Sequence, residues 1–179
     1  GDCPMSTLSV DTLSIDTIQG KTTAGTIAMP SGTVVQVAQR EVGNSGFTTT
    51  TSATYTDITN FYVDITPKFS NSIIIFDTTI TCNINDSSAY AHFRVVDSNN
   101  SDAQIHTGGK CGGTSYATSN NSYFEDVPIR ATDANCGTTN TMRLQLQAGV
   151  FGNTDNAHTF SINWSSTDMR TLTAIEIKA

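Results

Sequence analysis

The sequence predicts an all-β protein, an antiparallel β-sandwich or jelly-roll head preceded by a thin N-terminal extended or intertwined segment. Three observations carry this expectation. Apolar residues recur at every second position, as in Phe61, Val63 and Ile65 and again in Ile74, Phe76, Thr78, Ile80, Cys82 and Ile84; this is the period of a strand with one wet face. β-branched residues dominate these runs, and they lose rotamer freedom in a helix. Polar turns rich in Ser, Asn, Asp and Gly separate the runs, so that roughly eight to ten strands fit the chain.

Taken in order, Met5 followed by STLSVDTL reads as a natural start, which makes residues 1–4 an added remnant. Residues 5–30 form a shaft or attachment segment and linker. Within it Leu8, Val10, Leu13, Ile15 and Ile18 are spaced by two and three residues in turn, which gives neither a helical stripe nor one strand face. Such a row is either a flexible tail or, wound about an axis with identical copies, an apolar core shared between chains. Gly20, Gly25, Pro30 and Gly32 break the stretch after it into turns, and the β domain is expected over 31–179.

That domain opens with a strand at 33–38, turns at Gly43 to Gly46, and has an edge or loop strand in the Thr-rich 48–54. Tyr55 leads into a hairpin. Its first arm carries Phe61, Val63 and Ile65 inward and Tyr62, Asp64 and Thr66 outward, Pro67 ends it, and the second arm returns through Ile74 to Ile84. After Asn85 to Ser88, a half-wet strand points Ala89, Ala91, Phe93 and Val95 one way and Tyr90, His92 and Arg94 the other. Residues 97–121 are the least regular part and read as a functional loop, since long connections in compact domains are uncommon. Further strands are expected at 123–130, from Met142 to Val150, from Phe160 to Trp164 and from Leu172 to Ile177.

Composition excludes several classes. The net charge is −7 with a pI near 4.6, and no Lys/Arg patch offers phosphate contacts, so nucleic acid is not an expected partner. No apolar run approaches 18 residues, and membrane insertion is not expected. Only 14% of residues are charged, against ~25% usually, so Thr, Ser and Asn must carry the surface. Among the four cysteines, Cys3, Cys82, Cys111 and Cys136, there is no CxxC or zinc spacing. Cys82 reads as a small buried hydrophobe and Cys111 and Cys136 as free thiols.

No catalytic signature stands out, and no enzyme activity, metal or cofactor is expected. GNSG at 43–46 is not a nucleophile elbow. Glu125, Asp126, Asp133 and Asp155 supply carboxylates, yet none forms a recognisable acid–base pair. DSNNSD at 97–102 lacks the Gly and Glu of a calcium loop and reads as an Asx-rich turn; His92, His106 and His158 share no ligand spacing. Tyr116, Asn120, Asn121 and Tyr123 are the candidate ligand-binding residues, because aromatic faces beside amides suit a sugar ring. Tyr at a strand end is equally an ordinary core edge.

The opening MSTLSVDTLSIDTIQGKTTAGTIAMPSGTVVQV, the Thr-rich TTTTSATYTDITNFYVDITPKFSNSIIIF and the closing RTLTAIEIKA resemble short tail-fibre and related virion proteins of marine tailed phages, cyanophages among them. The resemblance implies a homotrimer located in the virion, with the N-terminal segment bound to other virion proteins. The β-rich head would then meet a glycan or protein of the host surface, and no catalytic residue is implied. The alternative is a head fibre, decoration or neck appendage with a purely structural role.

Overall fold

Alternating apolar residues become nine strands among the described residues of the computed structural model: β1 (Val34–Val42), β2 (Thr56–Ile65), β3 (Ile73–Ile84), β4 (Ala89–Asp97), β5 (Ala103–Cys111), β6 (Tyr123–Asp133), β7 (Met142–Gly152), β8 (Phe160–Ile162) and β9 (Arg170–Ile177). The structure describes residues 30–43, 54–84, 89–111, 123–152, 160–162 and 169–179, with the backbone alone described at 83–84, 89–90, 106–111, 123–125, 150–152 and 160–162. The row from Leu8 to Ile18 and the Thr-rich 48–53 lie outside the described residues.

The strands form a β-sandwich. One sheet has the order β1-β9-β3-β6 with β8 also on β3, the other β2-β7-β4-β5, and every pair is antiparallel. The pairing is nested: β4 with β5, β3 with β6, β2 with β7 and β1 with β9. It is the pattern of one long hairpin, with its tip at β4 and β5, rolled until its two halves face each other. Phe61, Val63 and Ile65 from one sheet meet Ile74, Phe76 and Ile80 from the other, joined by Phe93, Leu144, Leu146, Ile129 and Leu172, all buried. Tyr62 and Asp64 lie on the wet side, as the alternation requires.

Two expectations are corrected. β2 and β3 do not form a hairpin, because they belong to different sheets and the segment between them crosses over at one end of the sandwich. Alternation tells which side of a strand is buried, and that side is the same whether the next strand pairs with it or packs across the core. Residues 97–121 are not one irregular loop either: a single turn of 3-10 helix at Ser98–Asn100 leads straight into β5. β5 ends the sheet order and, among the described residues, pairs with β4 alone, through two register shifts. Its hydrogen bonds are backbone bonds, so QIHTGGKC forms a strand without an apolar row to announce it.

The cysteine expectation also changes. Cys82 faces inward and is fully buried as foreseen, but it is disulfide-bonded, to a cysteine outside the described side chains. Cys136 is a free thiol. Alternation placed Cys82 correctly, and nothing in the spacing of cysteines reports which side chain stands opposite across the core.

Polar side chains close the irregular places. β2 bulges between Asp57 and Tyr62, with Asn60 at φ 66, so that Ile58 and Phe61 both point inward. The bulge frees backbone carbonyls, and the buried Gln145 amide donates to Ile58 O at 2.9 Å and Phe61 O at 3.2 Å. The crossover is held by Glu176, which Leu172 and Ala174 carry inward on β9. Its Oε1 accepts from Lys68 N (2.8 Å), Phe69 N (3.2 Å) and Ser72 Oγ (2.6 Å), and its Oε2 from Gln36 Nε2 (2.6 Å).

Candidate functional site: a polar cleft at one end of the sandwich

Three connections gather at the end where β2 leaves for β3: the crossover 66–72, the turn 98–102 between β4 and β5, and the segment 134–141 between β6 and β7. Thr66 and Thr141 share a hydroxyl hydrogen bond of 2.8 Å, and Cys136 N donates to Ser72 O at 3.0 Å. The Cys136 thiol points to the carbonyls of Phe69 and Thr138 at 3.4 and 3.3 Å. Between the last two connections lies a cavity of about 350 Å³, and beside it one of about 150 Å³. Asp97, Asn100 and Cys136 line both.

Asp97 is the fixed point of this cleft. It is buried, and its Oδ1 accepts from Asn99 N at 3.1 Å and from Arg143 N at 3.0 Å. The first bond is the Asx turn that DSNNSD suggested. Ser101 and Asp102 continue it with positive φ, 52 and 57, so the chain reverses tightly and enters β5. Asn99 gives its side-chain amide to Thr141 O at 2.9 Å, tying the turn to the end of the β6–β7 connection.

A second polar region covers the outer side of the β2-β7-β4 sheet. Gln147 bridges two strands, accepting from Arg94 Nε at 2.6 Å and donating to Asp57 at 2.7 Å. Tyr62 is held between Arg40 and Arg143, at 3.7 and 4.0 Å from its ring centre. Arg143 also grips Asp64 with two bonds of 2.9 and 3.0 Å, and that carboxylate raises the guanidinium pKa above its ordinary value. Cation–π contacts and a bidentate pair tie the strands to one another here.

Among the candidates from sequence, Tyr116, Asn120 and Asn121 lie outside the described residues, and Tyr123 is the first residue of β6 with its side chain undescribed. Tyr123 pairs with Ile84 while Asp133, at the cleft, pairs with Ile74. Ten residues of strand place them roughly 33 Å apart, so Tyr123 belongs to the opposite end. Asp126 and Asp133 are separated along the same strand by roughly 23 Å, too far for a hydrolytic carboxylate pair at ~5–9.5 Å. Asp126 instead accepts from Thr81 Oγ1 at 2.6 Å and pairs with Arg170. Sequence reading missed the cleft, because residues 134–141 carry no motif; the one available signal was the Asx-rich DSNNSD turn.

No family model matches the chain, and no curated protein matches it. Similar solved structures include the VP2 subviral particle of infectious bursal disease virus, 10% identical over 82% of this chain and 38% of that one, with a TM-score of 0.38. Another is the Gt strain of the same virus, 10% identical over 90% and 43%, with a TM-score of 0.42. The chain spans about two-fifths of their length. At such TM-scores the likeness carries no argument, and the fold rests on the strand pairing itself.

Proposed function

We propose that the chain is a non-enzymatic virion protein of a tailed phage, a trimeric tail-fibre head that meets a host-surface glycan or outer-membrane component. The nested pairing supports a jelly roll, an architecture used by viral capsid and lectin domains. The observation that carries the reading is where the resembling phrases meet. KFSNS and RTLTAIEIKA are more than a hundred residues apart, yet Lys68, Phe69 and Ser72 of the first bond to Glu176 of the second. The two phrases that carry the resemblance to phage fibre proteins therefore belong to one packed unit, which supports reading them together. Val34 and Val37, exposed on the edge strand β1, leave apolar surface for a second copy, and residues 5–30 would attach the head to other virion proteins.

The experiment is immunogold labelling of intact virions, with light scattering on the purified chain. Label at the tail tip and a trimer mass are expected. Label confined to the head or neck would replace this reading with a structural appendage, and a monomer mass would remove the trimer.

A further inference from the structure

We infer that the cleft between the β4–β5 turn and the β6–β7 connection is a saccharide subsite, taking a neutral or amino sugar by its hydroxyl and amine hydrogens; this rests on the proposed host-surface role. Its size fits. A cavity of about 350 Å³ beside one of about 150 Å³ stands at the lower end of the ~300–1,000 Å³ typical of ligand pockets, room for one or two sugar rings.

The lining decides the chemistry. Asp97 and Asp133 contribute carboxylates, Asn99, Asn100 and Asn140 amides and Thr138 a hydroxyl, while no Lys, Arg or His among the described residues lines either cavity. Among the described lining an anionic ligand would meet two carboxylates and no cation, whereas hydrogen-bond donors meet acceptors. Asp97 is only 3% exposed. Both of its hydrogen bonds fall on Oδ1, and Oδ2 has no partner among the described residues. A carboxylate oxygen fixed by two backbone N–H groups is ordered before ligand arrives, so binding bears little ordering cost. The side-chain amides of Asn100 and Asn140 make no hydrogen bond among the described residues and remain available. A divalent cation is the poorer fit, since no group of three His, Cys, Asp or Glu among the described residues could hold a metal.

Cys136 provides the readout, because its free, half-buried thiol lines both cavities. The rate of Cys136 alkylation by iodoacetamide, followed by peptide mass mapping, is measured with neutral, amino and acidic sugars and with calcium alone. A several-fold slowing by a neutral or amino sugar is expected, lost in the Asn100→Ala/Asn140→Ala variant with its melting temperature kept. Unchanged rates with every sugar, slowing that survives in the variant, or slowing by calcium or acidic sugars alone would overturn the subsite. Host-cell adsorption by the wild-type chain separates the two ideas: adsorption without sugar protection overturns the subsite alone, and sugar protection without adsorption upholds the subsite and removes the host-surface role.

Discussion

Glu176 and Asp97 are two buried carboxylates at the same end of the sandwich, and the fold uses them differently. Glu176 spends both oxygens on four donors from β1 and the crossover, all within the protein. Asp97 spends one oxygen on two backbone N–H groups and turns its other side to a cavity. A carboxylate with both oxygens engaged holds a chain crossing in place, while one engaged on a single side is held in place for something else. Burial alone does not tell them apart; the count of donors on each oxygen does.

Removing Glu176 should have the largest effect. In Glu176→Ala the N–H groups of Lys68 and Phe69 and the Ser72 hydroxyl lose a buried acceptor, at ~1–3 kcal/mol for each unsatisfied group. A total of at least ~3 kcal/mol lowers the melting temperature by roughly 6–12 °C, read by calorimetry; a fall of only a degree or two would mean that water replaces the carboxylate. Gln145→Leu comes next. The carbonyls of Ile58 and Phe61 stay buried without their donor, and ~1–3 kcal/mol is expected from denaturant unfolding. Asp97→Asn should cost under ~1 kcal/mol, because an amide oxygen can still accept from Asn99 and Arg143; a loss as large as that of Glu176→Ala would erase the contrast between the two acids. Asn100→Ala should lie within ~0.5 kcal/mol of wild type, and any effect it has should appear in binding.

The thiols offer a check on the core. One disulfide at Cys82 and a free Cys136 leave two of the four cysteines able to react. Intact mass after denaturation and alkylation without reductant should show two added groups, whereas four would mean that the core closes around a reduced Cys82.

What the sequence made legible was the buried side of each strand. Phe61, Val63, Ile74, Phe76, Phe93, Leu144 and Leu172 all point where alternation puts them, because a period of two is a local property of the chain. Which sheet each strand joins is not local, and so β2 and β3 looked like a hairpin. β5 was hidden for a different reason: an edge strand held by backbone bonds needs no apolar row. The Asx turn at Asp97 could be read from DSNNSD, but its partner wall at 134–141 comes from a segment far along the chain, brought near by the pairing of β4 with β7 and by bonds to the crossover. Tyr123, where β6 begins, marks the other end and is the rival location for a contact surface; Tyr116 lies outside the described residues.

The measurement that tests the account most directly compares those two ends by adsorption of purified protein to host cells, with melting temperature as the control. The account predicts that Asn100→Ala/Asn140→Ala, folded as wild type, loses adsorption, and that Tyr123→Ala retains it. Full adsorption by the cleft variant together with loss in the tyrosine variant would contradict the account and place the contact surface at the far end of the sandwich.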